Sequence, residues 1–422
     1  MGAVPSACPS SHPGGPLPVP PSDPPLYEAV VLRYGELALK GKNRPIFEDA
    51  LARNVREAFE RRGIAARLVK TRGRFMAWPE DRALVPQLSS ALARVFGVES
   101  VSPAVRGPAD VAAVGALAER VARAALEGFA GDGPIPFRVE TRRADKSHPL
   151  TSAEISARVG AVLLERFPRL AVDLDEPRLT VGIEMRTGES FLFAEKIPGP
   201  GGLPLGTSGK VVALLSAGID SPVAAWLAMK RGCRVVLCHF HGFPFLGEES
   251  QDKVRDIARV LGDWQPRTAL WLVPLAEVQK AVKLAAPEPY RTLLYRRAMH
   301  RIAERVASEE RAKAIVTGDN LGQVASQTLE NLLVTERAAR LPMLRPLVTY
   351  DKKETVELAR RIGTFEVSIR PAEDCCTLFQ PRKPVIHGDL AEAEAAEASV
   401  ADYDRLIDDA FARAVVEKPP PR

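Results

Sequence analysis

The 422-residue chain is poor in cysteine, with five, and contains no stretch approaching the roughly 18 consecutive apolar residues that a membrane helix requires. Five cysteines in this length exclude a disulfide scaffold and point to a reduced, cytoplasmic protein in which any special cysteine does chemistry. No basic start followed by a continuous apolar stretch marks a secretory signal. No repeat of fixed period is present, which excludes solenoids and propellers. The remaining composition, 46% apolar and 26% charged, is that of globular domains and excludes intrinsic disorder as the main state. The length allows two or three domains.

The net charge of +5 conceals an asymmetry. Residues 388–417 hold nine Asp/Glu against two Arg, leaving 56 of the 58 basic and 44 of the 53 acidic residues elsewhere. A basic body with an acidic tail suits a polyanionic partner, although Arg-rich codon usage gives the same balance.

Residues 1–25 carry nine prolines among Gly and Ser and predict a disordered leader, in which Cys8 is inert. Order is expected from Leu26. A strand over Tyr27–Arg33, a helix over Ile46–Arg62 and a hairpin over Ile64–Val69 and Arg74–Trp78 follow a β-α-β-β order, which predicts a ferredoxin-like α+β unit at 26–88. A second unit, 89–197, carries helices at Val111–Phe129 and Ser152–Phe167 and strands at Pro136–Thr141, Arg178–Arg186 and Ser190–Ile197. The Gly/Pro-rich stretch 198–208 reads as a linker. From 209 to 386 apolar strands (Val211–Leu215, Val235–Phe240, Ala269–Val273, Ala314–Thr317) alternate with helices, the pattern of a parallel sheet buried on both faces. Residues 387–422 read as an acidic helical tail.

The segment Val211-Val-Ala-Leu-Leu-Ser-Ala-Gly-Ile-Asp-Ser-Pro-Val-Ala-Ala225 carries the chemistry. A strand ends at Leu215, a small-residue loop follows, and a helix opens near Pro222. Unpaired amides at a helix start hold a partial positive charge, and small residues let an anion approach them, so the turn suits a phosphate. A tight strand–helix turn with no ligand uses the same residues. No Gly-Lys-Ser/Thr follows the loop, so it is not a Walker loop, nor does it have the G-x-G-x-x-G spacing.

Ser216-Ala-Gly-Ile-Asp-Ser221 instead resembles the Ser-Gly-Gly-x-Asp-Ser loop of the ATP pyrophosphatases, which cleave ATP between the α and β phosphates. Ala217 stands where that family has glycine, and a methyl there is expected to narrow the loop. Further blocks sharpen the resemblance: Leu32-Arg-Tyr-Gly-Glu-Leu-Ala-Leu-Lys-Gly-Lys-Asn43, Arg142-Arg-Ala-Asp-Lys-Ser-His-Pro-Leu-Thr-Ser152, Gly318-Asp-Asn-Leu-Gly-Gln-Val-Ala-Ser-Gln327, Arg345-Pro-Leu-Val-Thr-Tyr-Asp-Lys352 and Ser368–Phe379. Across roughly 28–386 the chain is similar to the tRNA 4-thiouridine synthases, or tRNA sulfurtransferases. The resemblance implies an α/β PP-loop catalytic domain (adenine nucleotide alpha hydrolase-like, with a parallel sheet) preceded by α+β ferredoxin-like and THUMP domains.

It also implies a reaction: ATP, with Mg²⁺, adenylates O4 of uridine 8 of tRNA, and a persulfide sulfur displaces AMP. Sulfur transfer to the ThiS carrier for thiamine thiazole synthesis, a homodimer and no membrane partner are implied as well. By motif position Leu214, Leu215, Ser216, Gly218, Ser221, His239, Phe240, Arg296, Gly318 and Gln327 bind ATP. Asp220 orients phosphates and Mg²⁺, and Lys352 counters charge on the departing pyrophosphate. Cys375 and Cys376 carry sulfur, one or the other; a pair of buried thiols is the plainer reading of the same dipeptide. They lack the further ligands of a zinc site, and no metal site is expected from protein ligands. Some members carry a rhodanese domain that this sequence does not show, so a cysteine desulfurase is the expected sulfur donor. Cys233 and Cys238 read as core, Cys238 with a conceivable resolving role beside His239. Arg33, Lys40, Lys42, Arg142, Arg143 and Lys146 are the tRNA-binding candidates. Two rival readings stay open at this point: a synthetase acting on a small metabolite, and a non-catalytic RNA-binding protein with a decayed loop.

Overall fold

The computed structural model describes residues 26–71, 73–144, 148–372 and 379–420. The Pro-rich leader, Arg72, Lys146, Cys375 and Cys376 lie outside the described residues. The chain divides into two compact units, one of residues 104–194 with 26–28, the other of 29–103 and 195 onward.

The second of these begins with β1 (Ala29–Arg33), α1 (Arg44–Arg61), β2 (Ala66–Thr71), β3 (Arg74–Pro79) and α2 (Val85–Leu92). β1 and β2 flank β3 and are antiparallel to it. α1 turns Leu51, Val55, Ala58 and Phe59 inward, a spacing of four, three and one that makes a single apolar stripe. Helix α2 and β4 (Ser100–Pro108) were not predicted from the sequence.

In the other unit α3 (Val111–Leu126) and α4 (Ser152–Arg166) pack against β5 (Ile135–Arg143), β7 (Leu179–Met185) and β8 (Glu189–Phe193), with the short β6 (Leu170–Val172) parallel to β5. Thr151 and Glu154 close a reciprocal capping box that starts α4 at the expected residue.

Back in the larger unit, β9 (Ile197–Pro198) pairs with Ser100 and Val101. The stretch read as a linker is packed instead. Gly199 and Gly201 bond to Glu99 and Val98, Leu203 bonds to the carbonyl of Lys230, and Leu203 and Leu205 are buried. At Gly202, φ is +73° and an added Cβ would meet the Lys230 carbonyl oxygen at 2.1 Å, so glycine here serves close approach rather than looseness.

A parallel sheet follows, built from β10 (Lys210–Leu214), α5 (Asp220–Lys230), β11 (Arg234–His241), α6 (Glu249–Gly262), β12 (Leu270–Pro274), α7 (Ala276–Ala285), α8 (Arg291–Glu309), β13 (Ile315–Val316), α9 (Leu329–Glu336), β14 (Met343–Leu344), α10 (Lys352–Ile362) and α11 (Phe365–Ser368). The strand order is β14-β13-β10-β11-β12, so the chain winds one way from β10 to β12 and the other way through β13 and β14. The crevice at the carboxyl ends of β10 and β13 is therefore a topological switch point, where ligands of open α/β sheets bind. Phe96, from the first part of this unit, packs on Trp226 and Trp264, with ring centroids 5.4 and 5.7 Å away.

The acidic tail is part of this core. Helices α12 (Leu390–Ala398) and α13 (Tyr403–Ala412) lie against α8, and β15 (Val415–Glu417) pairs antiparallel with β12. Its acids neutralise an arginine row on α8: Glu397 holds Arg297 and Arg301, Asp404 holds Arg301, and Asp408 holds Arg305. Charge that reads as a solvated tail in sequence is paired because positions 100 residues apart meet. Among the described residues no helix is long and apolar enough to cross a membrane.

Candidate active site

The chain leaves β10 at Leu214, and the Leu215 amide is held by the carbonyl of Cys238 on β11 at 2.8 Å. The loop is then folded by its own serines. Ser216 N–H donates to Ser221 Oγ (2.8 Å), Ser221 Oγ donates to the Ser216 carbonyl (3.2 Å), and Gly218 N–H donates to Ser216 Oγ (3.2 Å). This brings the start of α5, whose first-turn amides lack intrahelical partners, over the sheet edge. Gly318, at the end of β13, closes against it: a Cβ there would lie 2.8 Å from the Ser221 nitrogen. Ala217 is 4% exposed, buried with Val223, Leu215 and Leu237, and is not among the cavity-lining residues. The expected narrowing by its methyl is thus not what the structure shows, because the core accepts it.

A cavity of about 410 Å³ opens at this switch point. Its lining includes Leu214, Leu215, Ser216, Ser221, His239, Phe240, Arg296, Gly318 and Gln327, nine of the ten residues placed by motif on the nucleotide, together with Asp220. Gly218 lies in the same loop without lining it. Lys352, the first residue of α10, reaches Asp220 with Nζ at 2.8 and 3.0 Å from the two carboxylate oxygens, and Gln323 Nε2 donates to the same carboxylate at 3.0 Å.

Sequence reasoning missed the group that fixes Arg296. Its guanidinium is held by Asp319 and by the carbonyl and hydroxyl of Ser326, both at 3.2 Å. Asp319 also accepts from Thr317 Oγ1 at 2.7 Å and from Gln327 Nε2 at 3.4 Å. Burial pushes the Asp319 carboxyl up, but Arg296 and the Thr317 hydroxyl outweigh it and hold the group well below the usual carboxylate range. The signal was present, since Asp319 sits inside the Gly318-Asp-Asn320 block. Its role depends on a partner 23 residues away on α8.

His239 is 1% exposed, and burial lowers its pKa to about 4. Its Nδ1 lies 2.8 Å from the Leu215 carbonyl, which only accepts, so Nδ1 carries the proton and Nε2 is a bare acceptor with no partner among the described residues. His300, also lining the cavity, is likewise lowered to about 4 by burial and by Arg296. Cys238 and Cys233 are buried free thiols, both pushed up by burial, as expected of core cysteines. A thiol held protonated does not suit the resolving role imagined for Cys238.

The Cys375-Cys376 dipeptide expected to carry sulfur is outside the described residues, but Gln380 and Pro384, just beyond it, line the cavity. Its cationic neighbour Arg370 is committed to Asp256 at 2.7 Å. The tRNA candidates divide. Arg33 donates to Ser102 Oγ at 2.9 Å, and Arg143 donates to the carbonyls of His148 and Leu150 at 3.0 and 2.6 Å, so both spend guanidinium donors inside the protein. Lys40 approaches Glu36 at 3.5 Å. Lys42 is exposed, as is Arg142, whose pair with Glu140 is on the surface.

Residues 206–401 match the family model described as thiamine biosynthesis protein (ThiI), 29–102 match the ThiI ferredoxin-like domain and 109–195 match the THUMP domain. A probable tRNA sulfurtransferase of Moorella thermoacetica is 43% identical over 378 residues, covering 89% of this chain and 94% of the relative. One from Brevibacillus brevis is 43% identical over 401 residues, covering 93% and 96%. Among solved structures, a 4-thiouridine synthetase in complex with RNA and bound ATP superposes with a TM-score of 0.82 at 38% identity, covering 93% of this chain and 99% of that one. A protein from Pyrococcus horikoshii gives 0.62 at 26% identity, covering 80% and 99%. With nine nucleotide-motif residues gathered at one switch point and this similarity along nearly its whole length, the chain belongs to the ThiI family of tRNA sulfurtransferases.

Proposed function

We propose that this protein makes 4-thiouridine at position 8 of tRNA in an ATP-dependent reaction. The observation that supports it most is the gathering of nine motif-assigned nucleotide residues and Asp220 around one cavity at the sheet's switch point. The α5 amides, Ser216 and Ser221 would bind the phosphates. Leu214, Leu215 and Phe240 give an apolar lining, and the bare Nε2 of His239 is suited to accept from an adenine amino group. Arg296, pre-set by Asp319, brings a fixed positive charge to the cavity.

Adenylation joins uracil O4 to the α phosphorus and releases pyrophosphate. Lys352 would then shift from Asp220 toward the leaving group's charge. Mg²⁺ takes one or two carboxylates along with substrate phosphates. Asp220 is a carboxylate on the cavity wall that fits this, and among the described residues no cluster of three metal-ligating side chains competes with it. A sulfane sulfur delivered through Cys375 or Cys376 attacks C4, AMP departs with O4, and a thiol reductant opens the remaining S–S bond. A cysteine desulfurase supplies the sulfane sulfur, and delivery to the ThiS carrier for thiamine synthesis uses the same cysteine segment. The exposed Lys42, and Arg142 on exchanging its surface partner Glu140, are placed to meet RNA phosphates.

Deleting the gene and measuring bulk tRNA absorbance in the near ultraviolet tests this directly. The 4-thiouridine band is expected to vanish, to return with the parent chain and not with a Cys375→Ser/Cys376→Ser double variant. A band that survives deletion would refute the reading.

A further inference from the structure

Of the chain's 15 Phe, 4 Trp and 6 Tyr, all of which lie among the described residues, only Phe243 and Phe245 are exposed, at 45% and 46%. Two apolar rings two residues apart in sequence, each nearly half exposed when every other ring is less exposed, are open to an occupant. They stand in the turn that follows β11, closed by the Leu246 N–H donating to the Gly242 carbonyl at 3.1 Å. Near the end of β11, His239 and Phe240 line the nucleotide cavity. Phe245 meets the Phe379 ring edge-on, with centroids 5.9 Å apart and planes at 61°. Phe379 carries Lys283 Nζ 4.0 Å from its centroid, and the next residue, Gln380, lines the cavity. Phe379 is also three residues beyond Cys376. The exposed rings are thus tied on one side to the nucleotide cavity and on the other to the segment bearing the cysteines.

We propose that Phe243 and Phe245 form the platform on which the target pyrimidine stacks during the reaction. The inference rests on the RNA-thiolation reading above. Chemistry at O4 and C4 of a uracil requires the base to leave its stacked position in the RNA. A base so displaced loses its stacking partners, and aromatic side chains replace them without regard to hydrogen-bonding pattern. Overall RNA affinity comes from phosphate contacts. The platform therefore acts on the step after binding, and its loss lowers kcat more than it weakens tRNA binding.

The test uses the full chain with tRNA, ATP and inorganic sulfide, which removes any protein donor. Phe245→Ala, Phe243→Ala and the double variant are expected to lower kcat about 5- to 100-fold. ATP KM and tRNA Kd should stay within about twofold, and Phe245→Tyr should restore most of the rate, since a tyrosine ring still stacks. Full activity in the double variant, beside an active parent, would overturn the platform and leave the thiolation reading standing. So would a defect seen with a cysteine desulfurase donor but absent with sulfide, which would assign the rings to protein docking. So too would a parallel loss of ATP binding, which would make the rings structural. A parent chain inactive with every tRNA would remove the thiolation reading itself.

Discussion

Lys352 and Asp220, 132 residues apart in sequence, face each other across the mouth of the PP-loop, with the Lys352 ammonium within 3.0 Å of both carboxylate oxygens. The pair is half-exposed on the lysine side, so it contributes little to stability, about 1 kcal/mol or less. On the proposed reading, the pair holds a cation beside the place where pyrophosphate charge develops. Lys352→Met is expected to lower kcat for thiolation by roughly 100-fold or more while shifting the melting temperature by only about a degree or two. An active, destabilised variant would contradict that role.

Gly318 makes a different prediction. Since a Cβ would sit 2.8 Å from the Ser221 nitrogen, Gly318→Ala must push the loop after β13 away from the start of α5. The expected result is a roughly tenfold or greater loss of ATP affinity, with overpacking that destabilises by about 1–3 kcal/mol. Unchanged affinity, measured by titration calorimetry, would show that the two loops need not touch.

These two positions also show what was legible in the sequence. Short-range features could be read: the strand–loop–helix at 211–225, the main helices and the alternation of apolar strands all follow from local periodicity and turn chemistry. What escaped depends on distant partners. Asp319 is one of several acids until Arg296 meets it, and Glu397 is a tail residue until α8 arrives. Ala217 looked like an obstruction because sequence does not tell which way a methyl faces.

His239, His241 and His300 set a pH dependence. Burial lowers all three to about 4 from 6.5, so the folded state stays neutral while the unfolded chain takes up protons. Between pH 6.5 and 4 the unfolded state binds more protons, and stability falls as pH falls through this window. Asp319, held below its ordinary range, acts only lower, as pH drops below about 4. His300→Asn should flatten the upper window in urea-melt midpoints taken from pH 7 to 4.5. Identical slopes in parent and variant would contradict the assignment.

Arg297 and Glu397 are both nearly buried, 2.6 Å apart. Removing the acid strands the buried Arg297 guanidinium and leaves Arg301 with Asp404 alone. Glu397→Ala is expected to destabilise the protein by about 3–5 kcal/mol in denaturant melts, far more than Asp408→Ala at the exposed end of the row. Equal effects would mean that the acidic segment is an appendage after all.

The central claim, that a triphosphate seated against the loop of Ser216 and Ser221 transfers AMP to a tRNA base, is tested most directly by exchange of labelled pyrophosphate into ATP. The account expects exchange by the purified chain that depends on tRNA, persists in Cys375→Ser and Cys376→Ser, and disappears in Asp220→Ala. Absence of exchange with any tRNA, or exchange indifferent to it, would contradict the account.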